Sequence, residues 1–369
     1  MISVLRSLGR TALASCALTA ALIAFAPAAA AQPMMERPDF TVTAAERDAL
    51  IEGAIEKLNA YYVFPETAKK MEAALRERVA NGEFASITSA KQLADKLTSD
   101  LRLVSRDKHL HVVHNAQGVP DRDPQAAPTT EDLARARGWL EKVNFGFEKV
   151  ERLQGNIGYI DIRGFVPPQI GGETASAAMT FLAGTDALIV DLRQNGGGEP
   201  AMIAYVLSYL FDEPTHLNDI YERPSDRTQQ YWTQAHVPGR RFGGTKPVFV
   251  LTSARTFSGG EEFAYNLKNL KRGTLVGETT GGGAHPVQMY KVTDHFGIGV
   301  PFARAINPIT KTNWEGTGVT PDVQAPADAA LDVAVRMALE RLIETTTEPP
   351  RRQQLEKLLS EQRDRKKNS

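Results

Sequence analysis

The fold and the candidate chemistry both follow from the stretch Val248 to Glu262, which reads VFVLTSARTFSGGEE. Its first four residues are apolar and predict a buried strand. The small residues SGG at 258–260 then lead into a predicted helix, 261–270. A strand, a glycine turn and a helix N-terminus in this order place a serine hydroxyl on a tight bend beside free backbone N–H groups. The stretch therefore predicts either a nucleophilic Ser258 or an ordinary turn in which Ser258 caps the helix.

A second strand and glycine turn lies upstream. The segment 186–192 (DALIVDL) is almost continuously apolar, and RQNGGG follows it at 193–198. Three adjacent glycines lose much backbone entropy on folding, so the backbone there is expected to make a close approach or to adopt positive φ. Because ligands bind at the carboxyl ends of strands in an open α/β sheet, this turn is a candidate oxyanion hole. The alternative is a flexible loop before a predicted helix over 200–211.

A serine nucleophile needs a base, and three of the seven histidines are candidates. His109 and His111 lie in the alternating segment HLHVV, where they share one face of a predicted strand. His285 follows a strand-like run and another glycine turn, in GGGAHP. Each of them can equally be a surface or packed histidine, so the residues alone leave the choice of base open.

Five motifs in a fixed order resemble the tail-specific, or C-terminal processing, serine peptidase family. They are similar to the branch that contains the tricorn core and the repeats of interphotoreceptor retinoid-binding protein. The resemblance covers about residues 40 to 335 and implies a crotonase- or ClpP-like α/β core with a helical N-terminal subdomain. The motifs are DKH (107–109), DLRQNGGG (191–198), TSARTFSGGEEFAYNLK (252–268), VGETTGGGAHP (276–286) and WEGTGVTPD (314–322).

The resemblance implies roles for individual residues. Ser258 matches the nucleophile, His109 the general base of the tricorn branch, and Glu315 the acid that supports the charge relay. Without that match, Glu315 would be a solvated loop residue. The backbone N–H groups that match the family's oxyanion hole are those of Gly259, Gly196 and Gly197.

The sequence departs from the family pattern at three places. Where the other branch of the family has a lysine base, this chain has Gly283, so the histidine mechanism is favoured. The tricorn branch has a second serine just before its histidine, whereas this chain has Lys108. The segment 114–145 is too short for the PDZ module with which many tail-specific proteases capture substrate C-termini, so tail specificity is not asserted.

The N-terminus has the pattern of a secretory signal. Arg6 and Arg10 precede an apolar run, and the alanines before Gln32 offer a cleavage site after Ala31. The run is too short and too rich in small residues for a comfortable membrane span. We therefore expect export to the periplasm or out of the cell, with no membrane span after cleavage. An uncleaved anchor and lipidation at Cys16 are the alternatives.

Composition excludes several other classes. Cys16 is the only cysteine and lies in the predicted signal, so the mature chain would have neither a disulfide nor a thiolate metal site. Cleavage would remove two arginines and no acid, which changes the formal net charge from −1 to −3 and argues against a nucleic-acid partner. The histidines lack metal-binding spacing, so neither a metal nor another cofactor is expected.

The predicted organisation has five parts: a signal peptide (1–31), a three-helix N-terminal subdomain (32–115), a connecting loop and helix (116–144), an α/β catalytic core (145–345) and a charged C-terminal tail (346–369). The three helices follow from helical spacing, and strands alternate with helices in the core. The last strands, near 288–292 and 297–301, are predicted to form a hairpin across the site. Glu261 and Glu262 are predicted partners of the helix dipole.

The expected function is an exported serine peptidase that cleaves peptide bonds through an acyl-enzyme, with a Ser–His–Glu relay. A histidine base predicts activity that rises through an apparent pKa of about 6 to 7. The expected substrate is a peptide or protein, and oligomer formation is left open. Two alternatives remain: a non-catalytic binder of apolar ligands on the same scaffold, as in the retinoid-binding branch, and an esterase acting on small molecules.

Overall fold

A computed structural model describes residues 38–121 and 129–367, so the predicted signal peptide lies outside the described residues. Within them the helices are α1 (Ala44–Tyr61), α2 (Pro65–Ala80), α3 (Ala90–Ser105), α4 (Thr130–Lys142), α5 (Pro168–Leu182), α6 (Pro200–Leu207), α7 (Gly259–Asn269), α8 (Ala330–Thr345) and α9 (Pro349–Lys367). None of these helices is both long enough and apolar enough to cross a membrane.

The strands form three sheets. They are β1 (His111–His114), β2 (Phe147–Leu153), β3 (Ile157–Ile162), β4 (Ala187–Asp191), β5 (His216–Glu222), β6 (Arg227–Trp232), β7 (Val248–Thr252), β8 (Thr274–Gly277), β9 (Val287–Lys291), β10 (Phe296–Pro301), β11 (Ala303–Ile306) and β12 (Val323–Gln324). This mixture of helices and sheets confirms the predicted α/β class.

The main sheet has six strands in the order β12-β8-β7-β4-β3-β2, parallel except for β2. Its strands are apolar on both faces because each face is covered. On β4, Leu188 and Val190 pack in the core that contains α5, α6 and α7, whereas Ile189 packs in the core that contains α8 and α9. This alternation along a strand fixes a helix–sheet–helix sandwich.

The topology of this sheet brings the two glycine turns together. β4 and β7 are neighbouring parallel strands, with Asp191 paired to Leu251. Both therefore end at the same edge of the sheet, where β4 leads into the turn at 193–198 and β7 into the turn at 253–258. The candidate site lies at this edge, as expected for an open α/β sheet.

The three N-terminal helices form where the sequence predicted them and enclose a core of their own. Thr43 and Glu46 make a reciprocal capping box at the start of α1, and Ser89 accepts the Gln92 N–H at the start of α3. The core is not purely helical, because the antiparallel sheet β1-β10-β9 completes it. The predicted hairpin thus forms, but its body packs on the helices and only its first residues reach the site.

Sequence patterns did not reveal the third sheet, β11-β5-β6. Its outer strand, RTQQYW, is mostly exposed and lacks the apolar alternation that predicts a strand. The C-terminal segment was predicted to be a charged tail, either an exposed helix or frayed; it is helical but not wholly exposed. It is the helix α9, and its Leu355 and Leu359 are buried against the core under α8. The segment is therefore part of the fold rather than an exposed or frayed end.

Candidate active site

Ser258 sits on a bend that is strained for a residue with a side chain. Its φ is 53° and its ψ is −120°, a region that residues other than glycine rarely adopt. The bend follows β7 and immediately precedes α7. The order strand, glycine turn, helix that was predicted from the sequence is therefore present, and Ser258 lines a cavity at this point.

Glu261 holds the bend in place. Its carboxylate accepts the Ser258 N–H at 2.9 Å, and it also accepts the N–H groups of Gly282 and Gly283, at 2.6 and 2.8 Å, and the Thr280 hydroxyl. The side chain is fully buried. The prediction that Glu261 interacts only with the helix dipole was therefore incomplete, because this carboxylate joins the serine turn to a second glycine turn.

The ionisation of Glu261 reflects two opposing effects. Burial raises the pKa of Glu261, whereas the hydrogen bonds from Thr280 and from the backbone of Gly283 and Gly282 oppose that rise. Four donors around one carboxylate favour its charged form. The carboxylate is thus compensated by hydrogen bonds rather than by a cation.

The turn after β4 lies directly against Ser258. A Cβ on Gly197 would be 2.7 Å from the Ser258 Cβ, and the φ of Gly197 is +111°, so only glycine fits. The Gly197 N–H donates to Asn195 Oδ1 at 2.8 Å, and the Gly196 N–H donates to the Arg163 carbonyl at 3.3 Å. Both predicted oxyanion donors of this turn are therefore already engaged.

The neighbouring N–H groups are better placed for an oxyanion. Within the described part of the chain, neither the Gly198 N–H nor the Gly259 N–H donates a hydrogen bond. The two residues touch, since a Cβ on Gly259 would lie 3.0 Å from the Gly198 nitrogen. At this point the N–H groups of Gly198 and Gly259 are therefore available to a ligand, whereas those of Gly196 and Gly197 have acceptors within the protein.

Both turns border a cavity of about 340 Å³ that also contains the histidine segment. His109 and His111 line it together with Ser258. The His109 ring packs on the Phe257 ring at a centroid distance of 4.7 Å and is so close to Gly283 that a Cβ there would be 2.7 Å from His109 Cε1. β1 begins only at His111, so His109 lies in the turn before the strand rather than on it.

Burial lowers the pKa of His109 to about 4, against the opposing effect of Asp107. An imidazole with this pKa is neutral at pH 7, which is the form that accepts a proton.

His285 lies elsewhere in the structure. It is buried in the wall of a second cavity with Tyr62 and Glu315, and its Nδ1 lies 2.7 Å from Asp107 Oδ2.

Asp107 is the residue that sequence reasoning missed. Its Oδ1 accepts the backbone N–H of His109 at 3.0 Å. Its Oδ2 accepts the Tyr62 hydroxyl at 3.3 Å and also lies within hydrogen-bond distance of His285 Nδ1. Asp107 is 1 % exposed. The motif DKH contained the signal, but only its histidine was assigned a role.

Glu315 reaches the same cluster. A ring nitrogen of His109 and carboxylate oxygens of Asp107 and Glu315 all lie within 4.8 Å of one another. Glu315 Oε2 accepts the Ala284 N–H and lies 3.5 Å from His285 Nδ1. Burial, followed by the nearby Asp107, raises the pKa of Glu315 to about 7. Glu315 is therefore a partly buried acid beside both histidines rather than a solvated loop residue.

Two buried atoms of this cluster, His109 Nδ1 and Glu315 Oε1, have no hydrogen-bond partner among the described residues. Imidazole nitrogens and carboxylate oxygens are also ligand types for divalent metals such as Zn²⁺. The absence of a metal requirement stays a prediction.

Lys108, at the position where the tricorn branch has a serine, donates a hydrogen bond from its ammonium group to the Gly281 carbonyl.

The chain is similar in sequence to known peptidases. The sequence profile of peptidase family S41 matches residues 156–325, and a profile described as the N-terminal domain of peptidase S41 in eukaryotic IRBP matches residues 41–144. The chain is 29% identical to the tricorn protease of Thermoplasma volcanium over 233 residues, which is 59% of this chain and 20% of the relative. It is 26% identical to a chloroplastic C-terminal processing peptidase of Tetradesmus obliquus, over 64% of this chain and 50% of the relative.

The chain thus spans half or less of the length of these relatives. Among solved structures, a peptidase from Parabacteroides merdae superposes with a TM-score of 0.56 at 18% identity, covering 79% of this chain and 96% of that one. This likeness supports the fold alone. The two family profiles cover the N-terminal helices and most of the α/β unit with its glycine turns, and they confirm the resemblance found in the sequence: the chain belongs to peptidase family S41.

Proposed function

We propose that this protein is a serine peptidase that cleaves peptide bonds through an acyl-enzyme on Ser258. The observation that carries the proposal is the strained Ser258 bend, which shares one cavity with a neutral, partly buried His109. A strained backbone persists only where its surroundings enforce it, and such sites are often functional. Family membership supports the same reaction class.

In the proposed reaction, Ser258 Oγ attacks the substrate carbonyl and its proton passes to His109. The N–H groups of Gly198 and Gly259 donate to the oxygen that becomes negative. When the C–N bond breaks, the imidazolium returns the proton to the leaving amine, and water then hydrolyses the acyl-enzyme by the reverse sequence. The oxyanion donors are preorganised because the two glycine turns are in contact.

The charge relay is proposed to use two carboxylates. Asp107 holds the His109 backbone and Glu315 lies beside it, so the imidazolium formed during attack has negative charge close to its ring. His285 links the two acids, at 2.7 Å from Asp107 and 3.5 Å from Glu315.

The substrate is proposed to be a peptide or protein, and the location to be the periplasm or the cell exterior. The basic residues, apolar run and cleavage site before Gln32 support export. The groups around Ser258 argue against a non-catalytic binder of apolar ligands. Such a binder needs neither a serine on a strained bend nor a histidine with a lowered pKa and two carboxylates beside it.

Ser258→Ala tests the nucleophile. The variant should lose at least about a thousandfold in peptidase turnover, since deleting a triad member removes the covalent step. A fluorophosphonate probe should add one label to the parent protein, at Ser258 by peptide mass mapping, and none to the variant. Ser225→Ala, which changes an exposed hydroxyl on another loop, is the control and should label normally. Labelling at another serine would remove the proposal.

His109→Ala tests the base against its neighbour His111. Both side chains line the cavity, but only His109 is proposed to transfer the proton. His109→Ala should lower kcat/KM by about a thousandfold, whereas His111→Ala should lower it by about tenfold or less. Steady-state assays on one peptide give both values. If His111→Ala or His285→Ala abolished turnover while His109→Ala remained active, the base would have to be reassigned.

Glu315→Gln tests the relay through the pH profile. Because burial moves the pKa of His109 to about 4, the rise in activity near pH 7 should come from Glu315, which is charged only above its own pKa of about 7. The profile of kcat/KM should therefore rise through about pH 7 in the parent protein, and this limb should vanish in Glu315→Gln, leaving the rise near pH 4. Turnover above pH 8 should fall by about tenfold or more, because the imidazolium loses a negative partner.

The matched control is Glu348→Gln, an exposed glutamate at the start of the C-terminal helix, which should keep the parent profile. Circular dichroism checks that both variants fold. An unchanged limb near pH 7 in Glu315→Gln would show that Glu315 is structural and that the relay runs through Asp107 alone.

A further inference from the structure

The catalytic cavity contains an acid for which the proposed reaction has no role. Glu262 lies one helical turn along α7 from Ser258, and it lines the same cavity. It is 4 % exposed as a whole residue. Within the described residues no lysine, arginine or histidine lies within salt-bridge distance of its carboxylate. Burying a charged carboxylate without a cation beside it costs desolvation free energy, so a functional reason for an acid at this position is worth seeking.

The groups that face Glu262 come from three other elements. Asn218 of β5 lies beside the carboxylate, Glu199 lies at the start of α6, and Tyr231 lies on β6. Burial raises the pKa of Glu262 to about 8; Asn218 lowers it and Glu199 raises it further. Burial, followed by Glu262, Glu199 and Glu222, raises the pKa of Tyr231 above its usual range, so Tyr231 stays neutral.

Two buried amides flank this acid. Asn218 and Asn266 are both 0 % exposed, and Asn266 follows Glu262 by one turn on α7. Asn218 lies beside the Glu262 carboxylate and favours its charged form, whereas among the described residues the amide nitrogen and oxygen of Asn266 have no hydrogen-bond partner. The buried region behind Glu262 is therefore polar.

The cations that border the cavity are committed elsewhere. Lys108 donates to the Gly281 carbonyl, and Arg163 pairs with Asp161 at 3.1 Å. Apolar surface from Ile220 and Trp314 also lines the cavity. The cavity thus combines apolar walls near its serine with an uncompensated acid one helical turn away.

We propose that this cavity receives a lysine or arginine side chain of the substrate, from a residue flanking the scissile bond, and that Glu262 is the residue that selects it. The inference rests on the proposed peptidase function and specifies its substrate class. The aliphatic stem of such a side chain would contact the apolar walls while its charged end pairs with Glu262. A guanidinium or ammonium group carries only donors, which suits a carboxylate.

This assignment has a signature in pH. A bound cation favours the charged form of Glu262, so below pH 8 binding must displace a proton from this carboxylate. The preference for a basic residue over a neutral one of equal shape should therefore increase as the pH rises from about 6 to 9. The ionisation of His109 and Glu315 changes kcat/KM for the basic and the neutral substrate by the same factor. The ratio of the two kcat/KM values therefore does not depend on the titration of these residues.

The experiment compares peptides that differ only in arginine against citrulline, its neutral isostere, placed before or after the scissile bond. The parent protein should prefer arginine on one side by about tenfold or more in kcat/KM at pH 9, and the preference should shrink towards pH 6. In Glu262→Gln the ratio should approach one at every pH, while turnover of the citrulline peptide is retained. Glu222→Gln, a carboxylate on β5 bonded to Ser225, is the matched control and should keep the parent ratio.

Fluorophosphonate labelling of Ser258 in the same samples separates the two claims. Normal labelling with a ratio near one in the parent protein, or a ratio that Glu262→Gln leaves unchanged, overturns this inference and leaves the peptidase proposal intact. Benzamidine binding by calorimetry needs no turnover, so it tests the cation site even if Ser258 proves unreactive. Binding that weakens in Glu262→Gln but not in Glu222→Gln supports the site, and equal binding or none in the parent and Glu262→Gln overturns it.

Discussion

The site depends first on the buried carboxylate of Glu261. Its four hydrogen bonds fix the N–H of Ser258 and tie the serine turn to the backbone of Gly282 and Gly283. Without it, three backbone N–H groups would be left without this acceptor and the strained bend would lose its support. The Gly282–Gly283 turn in turn packs on His109 and leads to Ala284, which binds Glu315. One side chain therefore connects Ser258, His109 and Glu315, the proposed nucleophile, base and acid.

The second constraint is the meeting of two separately packed cores. The adjacent parallel strands β4 and β7 lead into the two glycine turns. His109 belongs to the N-terminal unit, whose strand β1 pairs with β10. Asp107 binds His285 across 178 positions of sequence and so joins the two units at the site. His109 can share a cavity with Ser258 only when both cores have folded and docked, which makes the proposed activity a property of the whole described fold.

Sequence reasoning could predict the features that local patterns specify. Apolar runs predicted β4 and β7, helical spacing predicted the three N-terminal helices, and small residues predicted the Ser258 bend. It missed features that depend on long-range hydrogen bonds: the bonds from the Gly282–Gly283 turn to Glu261, the contact of Asp107 with His285, and the occupied N–H of Gly197. It also missed β6, because the exposed polar residues of this strand show no alternation of apolar and polar side chains. The packing of α9 was missed because it depends on only two leucines in a highly charged segment.

The central claim is that Ser258, His109 and the N–H groups of Gly198 and Gly259 converge on one reacting carbonyl. A crystal structure of the protein phosphonylated by a peptide phosphonate tests it most directly, because the adduct mimics the tetrahedral intermediate. The account predicts a covalent bond from Ser258 Oγ to phosphorus, the phosphoryl oxygen within about 3 Å of both N–H groups, and His109 hydrogen-bonded to the adduct. A phosphoryl oxygen held by Gly196 or Gly197 instead, or an adduct that meets His285 and leaves His109 apart, would contradict it.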